Sequence, residues 1–179
     1  MNSRRIPLFV FLVSLVSLTA FAQPAPMASS KLSELQYFAG TWSCTGTSFA
    51  MGPMPEHATK ATVKASWTLG NQWLQIDYSE MKDPKNPNPV MARLYLGYDP
   101  QLKQLVSGSL DNMGGYSTGA ADGWMNSMLT FEGPNHMSGM TAKSREMFTK
   151  KSATEVVHSS SVEMNGKWQK LDEETCWKK

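Results

Sequence analysis

The feature that most constrains the fold is an alternation of apolar and polar residues that recurs along most of the chain. In residues 59–69, TKATVKASWTL, every second side chain is apolar: Ala61, Val63, Ala65, Trp67 and Leu69. A period of two places these side chains on one face of a β-strand, and a strand with one apolar face is typical of an antiparallel sheet buried on one side. Residues 59–69 are therefore predicted to form a half-buried antiparallel strand.

Similar runs follow one another with turn residues between them. The other predicted strands are residues 41–49, 72–81, 90–99, 104–110, 115–121, 127–133, 136–150, 153–164 and 167–178, with turns at LGN, YDPQ, ADG, EGPN and MNGK. A short helix is predicted before them, because Ser30 can cap it and Leu32, Leu35 and Phe38 share one face.

A long meander of short strands must close or curl to avoid exposed edges. The predicted fold is therefore all-β: a single antiparallel up-and-down barrel of about ten strands with a short N-terminal helix. A sandwich of two sheets is the alternative.

The start of the chain has the pattern of a secretory signal peptide. Arg4 and Arg5 precede an apolar run, and Ala20-Phe21-Ala22 supplies the small residues that signal peptidase accepts. A retained membrane anchor is the alternative. Cleavage predicts a periplasmic or secreted protein with three parts: a signal peptide at 1–22, a flexible linker at 23–30 and the barrel domain at 31–179.

The charge balance bears on possible partners. The chain has 17 Lys and Arg against 15 Asp and Glu, and two of the basic residues, Arg4 and Arg5, belong to the predicted signal peptide. The remainder is neutral, with scattered lysines, so we expect no nucleic-acid partner and no membrane contact after signal cleavage. The oligomeric state is left open.

Several segments in order resemble known families. The short helix, Gly40-Thr41-Trp42 on the first strand and the following meander resemble the calycin barrels, which include lipocalins, fatty-acid-binding proteins and nitrobindins. More closely, LSELQYFAGTWSCTGT, ASWTLGNQWLQIDYSE, LGYDPQLKQLVSGSLDNMGGYSTG and KLDEETC resemble a bacterial family of exported, lipocalin-like barrel domains of unknown function. This resemblance implies the fold, with Trp42 pointing into the barrel base, and implies no chemistry.

The two cysteines are predicted to form a disulfide. Cys44 and Cys176 lie on the predicted first and last strands, which are neighbours in a closed meander, and an exported protein meets an oxidising compartment. A loop of 132 positions gives about 5 kcal/mol of stabilisation on the chain-entropy treatment. Two separate buried thiols are the alternative, and catalytic chemistry is disfavoured because neither residue has a CxxC partner.

The same alternation predicts which polar residues face the lumen. If Trp42 points inward, Cys44 does too, and its partner Cys176 must share that face. Counting back by twos along the last strand then places three charged residues on the inner side: Glu174, Asp172 and Lys170.

Carboxylates inside a barrel are costly unless they are paired. Arg93 and Arg145, each in the middle of a predicted strand, are the predicted partners. The alternative is a β-bulge near Glu173 that returns the acids to solvent.

The sequence predicts a barrel that binds a small, mainly apolar molecule with a polar end in its lumen. The predicted ligand-binding residues are Trp67, Arg93, Tyr95, Arg145, Asp172 and Glu174. Two alternatives stay open: a side-chain-filled barrel with a structural or interaction role, and an acid–base enzyme that uses Tyr95, Arg93, Arg145 and Glu174. No catalytic residue is assigned, and an enzyme is the less favoured reading.

No metal and no cofactor are predicted, although the chain has 13 Met. Three segments have a spacing of soft ligands that suits Cu(I): Met51-x-x-Met54-x-x-His57, Met125-x-x-Met128 and His136-Met137-x-x-Met140. Residues three apart in a strand lie on opposite faces, so the last two pairs would need a loop to bind one ion, and Met also fills irregular cores. Copper at loop 51–57 is the alternative. Haem is not expected, because the last predicted strand has no His and His158 would have to substitute.

Overall fold

The structure, a computed structural model, describes residues 30–179 except residues 53, 85 and 138. The predicted signal peptide and residues 23–29 of the predicted linker lie outside the described residues. Ser30 begins a one-turn helix, α1 (Ser30–Ser33), and a 3₁₀ helix (Glu34–Phe38) follows directly. No helix in the described part of the chain is both long and apolar enough to cross a membrane.

Ten strands follow the helices. They are β1 (Gly40–Ser48), β2 (His57–Thr68), β3 (Trp73–Glu80), β4 (Met91–Asp99), β5 (Gln104–Asp111), β6 (Tyr116–Ala121), β7 (Met128–Met137), β8 (Met140–Lys150), β9 (Glu155–Met164) and β10 (Lys167–Lys178). Each strand pairs with the next, and β10 pairs antiparallel with β1, so the sheet closes into a barrel. The predicted ten-stranded barrel is confirmed, and the two-sheet alternative is wrong.

One predicted turn is wrong. The EGPN segment lies inside β7, which continues to Met137 and turns there into β8. Pro134 is tolerated because the pairing of β6 with β7 skips at this point, from Ser117 opposite Asn135 to Ala120 opposite Glu132. A proline that faces such a gap removes no ladder hydrogen bond.

The helical segment seals one end of the barrel. Leu32, Leu35 and Phe38 are buried there, and Trp42 at the start of β1 is 3% exposed. The Trp42 indole N–H donates to the Phe38 carbonyl oxygen at 2.8 Å, and Phe38 packs edge-on against Phe148 of β8 with ring centroids 4.9 Å apart. This aromatic floor makes the barrel a cup that opens at its other end.

A disulfide joins the first and last strands. Cys44 lies directly opposite Cys176 in the β1–β10 register, and the two sulfurs are bonded, which confirms the predicted pair. Such a bond is typical of proteins in an oxidising compartment. Next to it, a Cβ atom on Gly46 would lie 2.0 Å from the carbonyl oxygen of Glu173, so the close approach of β1 and β10 requires glycine here.

Candidate functional site

The barrel encloses a cavity of about 640 Å³. Its walls near the floor are apolar and include Ile76, Leu94 and Val156, while its rim is formed by the loops at the end opposite the helix. Pockets that bury small organic ligands have volumes of roughly 300 to 1,000 Å³. The cavity is therefore large enough to hold such a molecule.

Polar side chains form a belt between this apolar floor and the rim. On β3 the inward positions read Leu74, Ile76, Tyr78 and Glu80, and on β9 they read Val156, His158, Ser160 and Val162. On β3 the apolar residues are nearer the closed end and the polar ones nearer the mouth. On β9 the two polar residues lie between Val156, near the closed end, and Val162. Because alternation turns these polar residues to the inner face on several strands, they meet in the lumen as one belt.

His158 is the centre of one group in the belt. Its Nε2 lies 2.7 Å from Oε2 of Glu146 on β8, and its Nδ1 lies 3.4 Å from Oδ1 of Asp172 on β10. The hydroxyl of Ser160 donates to the other oxygen of Asp172. Oδ1 of Asp172 is buried and accepts no hydrogen bond from any part of the chain that the structure describes.

The neighbouring carboxylates shift the pKa of His158. Burial alone would lower the pKa of His158, but the hydrogen bond to Glu146 and the negative charges of Asp172, Glu146 and Glu174 raise it to about 9. The imidazole is therefore protonated at neutral pH. Burial raises the pKa of Asp172, and the positive charge of His158 opposes that rise.

A second group crosses the lumen. The hydroxyl of Tyr78 on β3 donates to Oε1 of Glu174 on β10 at 2.9 Å. Glu174 is 3% exposed, and this burial raises its pKa. Burial also raises the pKa of Tyr78, and the Glu174 carboxylate adds to the rise, so the phenol stays protonated and acts as a hydrogen-bond donor.

A third group lies close to the rim. Oε1 of Glu80 is 3.1 Å from Nε2 of His57, and its Oε2 accepts hydrogen bonds from Asn86 Nδ2 and from the Val90 backbone N–H, each at 2.8 Å. These contacts attach the loop between β3 and β4 to the start of β2. Glu80 therefore fixes the shape of the mouth.

The acidic side chains of the cavity lining outnumber its basic ones. Its carboxyl groups belong to Glu80, Asp111, Glu146, Asp172 and Glu174, and among the described lining residues there is no Lys or Arg. The two histidines, His57 and His158, already contact carboxylates. The lining therefore offers more hydrogen-bond acceptors than positively charged donors.

The predicted lumen position of the two arginines is wrong. Arg93 has a side chain 52% exposed and pairs with Asp77 on the outer face, Nε to Oδ1 at 2.6 Å. Arg145 pairs outside with Glu132 at 2.9 Å and stacks over the Trp168 ring at 3.6 Å. On each strand the neighbouring residues take the inner positions, so alternation turns the arginines outward.

Three further predicted positions also differ. Tyr95 shares the outer face of β4 with Arg93, and Lys170 is exposed and pairs with Glu173 at 2.7 Å. Trp67 lies at the closed end, where its indole N–H donates to Gln36 Oε1 at 2.6 Å, and it does not line the cavity.

The inner-face count along β10 is right for two of its three charged residues. Asp172 and Glu174 line the cavity. The β-bulge lies between Lys170 and Asp172 rather than near Glu173, so it turns Leu171 inward and Lys170 outward and leaves both acids in the lumen. The binding roles of all six predicted residues stay predictions.

Sequence reasoning missed the residues that do meet these acids. His158, Tyr78 and Glu146 line the cavity, as do His57 and Glu80. Continuing the count by twos from Ile76 would have found Tyr78 and Glu80, and from Val156 it would have found His158. The signal was present in the alternation, but an arginine was expected wherever a buried acid needed a partner.

One set of possible metal ligands of the His, Cys, Asp and Glu types lies close together among the described residues. The ligand atoms of Cys44, Glu174 and Cys176 lie within 4.8 Å of one another. Because the two sulfurs are bonded to each other, neither is a thiolate, and a metal needs a thiolate from cysteine. This set does not bind a metal while the disulfide is closed.

Among the comparisons with known proteins, one solved structure supports the fold. The solved structure of Rv2717c from M. tuberculosis has a TM-score of 0.61 and 9% sequence identity, over 85% of this chain and 99% of that chain; at this identity the similarity shows the fold alone. A protein of unknown function from the DUF3598 family of Nostoc punctiforme covers 85% of this chain and 100% of its own at 10% identity, but its TM-score of 0.24 carries no argument. None of the curated proteins matches. The sequence profile described as "Protein of unknown function (DUF1579)" matches residues 28–178, and the chain therefore belongs to this family.

Proposed function

We propose that this protein binds a small, mainly apolar molecule in its barrel and holds the polar end of that molecule by hydrogen bonds donated to the acidic belt. The observation that carries the proposal is Oδ1 of Asp172, a buried carboxylate oxygen on the cavity wall that accepts no hydrogen bond from the described chain. Nδ1 of His158 lies 3.4 Å from this oxygen, which is longer than an ordinary N–H···O hydrogen bond. A ligand N–H would give the oxygen a closer donor.

The charge of the belt sets the chemical class of the polar end. Carboxyl groups outnumber histidines in the lining, and the arginines that could hold an anion lie outside. A ligand carboxylate would therefore meet repulsion, while an ammonium or amide group would find acceptors. We infer an apolar amine, with its hydrocarbon part on the floor near Ile76, Leu94 and Val156.

Two considerations support this function over the alternatives left open by the sequence. A side-chain-filled barrel would have no cavity of this volume. The set considered for acid–base catalysis is divided, because Arg93, Tyr95 and Arg145 lie outside and Glu174 lies inside. We also infer export to the periplasm or the medium, on the signal-peptide pattern and the disulfide.

The test compares two probes of equal chain length, decylamine and decanoate, by calorimetric titration below their micelle concentrations. We expect decylamine to bind with a stoichiometry of about one and decanoate to bind much more weakly. Asp172→Asn should weaken decylamine binding by about tenfold, since a charge-assisted hydrogen bond contributes about 1.5 to 3 kcal/mol. Glu132→Gln, which removes a carboxylate from the outer face, is the matched control and should bind like the parent.

Equal affinity for the two probes would contradict the amine class. Binding that Asp172→Asn leaves unchanged would contradict the acidic belt as the site of the polar end. Circular dichroism of each variant shows whether the barrel has folded, and Asp172→Ser is a second substitution if the Asn variant does not fold.

A further inference from the structure

Three Met-x-x-Met segments have the same local structure. Met51 and Met54 exchange two backbone hydrogen bonds of 3.0 Å, and Met125 and Met128 exchange two of 2.8 Å. Met137 and Met140 pair in the same way where β7 turns into β8. The sequence required a loop for the last two pairs to bind one ion, and the chain reverses between the two methionines of each pair, so these directly opposed residues project to one side.

Two of these segments meet at the rim of the barrel. Met137, Met140 and Met164 occupy inward positions at the open ends of β7, β8 and β9, and Met51 reaches them from the loop after β1. Together they line a cleft of about 170 Å³ beside the main cavity. We call it the methionine cleft, defined by Met51, Met137, Met140 and Met164.

The donor set of the cleft is soft. A thioether is a neutral, polarisable ligand that selects Cu(I) over the hard cations Mg²⁺ and Ca²⁺, which take oxygen ligands. Among the described lining residues, Glu163 is the only charged one. Met140 and Met164 are 51% and 37% exposed, so their thioethers can be reached by an ion from solution.

We propose that the methionine cleft is a binding site for a soft monovalent cation, Cu⁺ in the exported protein, held by thioether sulfurs from three neighbouring strands and the loop after β1. The site needs no contribution from cysteine, because Cys44 and Cys176 are joined in the disulfide. It is independent of the lumen function, although Met51 and Met137 also lie at the mouth of the main cavity.

The experiment uses Ag⁺ as a redox-inert probe and then Cu⁺ buffered by bicinchoninate without oxygen. The protein is kept oxidised, in nitrate buffer without thiols, so that no thiolate competes. We expect about one ion per chain, with changed ¹³C-methyl NMR signals for the cleft methionines. The double substitution Met140→Leu with Met164→Leu keeps the apolar volume and should weaken Ag⁺ binding by about tenfold or more.

The matched control is the third Met-x-x-Met turn. Met125→Leu with Met128→Leu removes an equivalent pair of thioethers at the closed end of the barrel, outside the cleft, and should leave Ag⁺ binding unchanged. His57→Gln tests whether the ion instead sits on the Met51, Met54 and His57 set. The proposal is overturned if Ag⁺ does not bind, if both double variants lose it equally, or if only His57→Gln abolishes it.

Discussion

Strand β8 carries an ion pair on each of its faces, and the two pairs differ in more than position. On the outer face, Arg145 contacts Glu132 on the neighbouring strand at 2.9 Å; on the inner face, Glu146 contacts His158 on the other neighbouring strand at 2.7 Å. The pKa of Glu132 is lowered, most of all by its hydrogen bond from Lys143; burial opposes this shift, and Arg145 adds to it. The inner pair belongs to a group in which the charges of three carboxylates act on one imidazole.

The curvature of the wall explains the difference. Side chains on the convex face of a barrel diverge, so Arg93 and Asp77 meet only because β3 and β4 are neighbours. Side chains on the concave face converge, so Tyr78 of β3 reaches Glu174 of β10 across two intervening strands. Changes on the inner face should therefore affect the whole barrel, and changes on the outer face should stay local.

The largest effect is expected from the inner-face disulfide. Replacing Cys44 and Cys176 together by Ala releases a loop of 132 residues and should lower the free energy of unfolding by about 5 kcal/mol on the chain-entropy treatment. Urea unfolding followed by tryptophan fluorescence measures it. Adding a dithiol reductant to the parent should reproduce the loss and should leave the double variant unchanged. A parent with the same free energy of unfolding with and without reductant would contradict this prediction.

An intermediate effect is expected from His158. Its folded pKa of about 9 lies above the ordinary value of 6.5, so its contribution to stability is fully present below pH 6.5 and is lost as the pH rises through 9. The loss amounts to about 3 kcal/mol. Burial raises the pKa values of Asp172 and Glu174 as well. The free energy of unfolding therefore also falls as the pH rises through the lower range in which these two acids titrate.

Comparing the parent with His158→Gln isolates this contribution, because the acids remain in both proteins. Urea midpoints between about pH 6 and pH 10 should fall in the parent and change much less in the variant. His136→Gln, at the rim, is the control and should follow the parent. Parallel curves for His158→Gln and the parent would show that the inner pair does not bind a proton more tightly on folding.

The smallest effect is expected on the outer face. Arg145→Met should cost about 1 kcal/mol or less, because an exposed pair contributes little and its stacking on Trp168 adds modestly. Arg93→Met should melt like the parent, since that guanidinium is largely in solvent. Melting curves at low and high salt measure both, and a large loss in either variant would contradict the difference between the two faces.

Alternation was sufficient for the strands and for part of the site. It predicted ten strands, the neighbouring positions of Cys44 and Cys176, and the inward direction of Asp172 and Glu174. It did not give the partners of these acids, because a position in the middle of a predicted strand does not tell which face Arg93 takes. Only the register of β3 and β4 shows that Leu94 and Leu96 take the inner positions.

The turns were harder to predict than the strands. Residue type placed one at EGPN, but the structure places it after Met137, since a proline can lie in a strand wherever its neighbour leaves a gap. The shared side of Met137 and Met140 depends on this same choice. With the turn after Met137, the two residues lie directly opposite each other instead of on opposite faces of one strand.

The bond between Cys44 and Cys176 turns the barrel wall into a closed covalent ring. The main chain from β1 to β10 forms the ring, and the disulfide fastens the seam where its first and last strands pair. The interrupted ladder between β6 and β7 lies on the opposite side of that ring. Even there the strands lie close, because a Cβ atom on Gly133 would be 2.1 Å from the carbonyl oxygen of Thr118. Any larger residue at this position would therefore push β6 and β7 apart at a part of the wall far from covalent support.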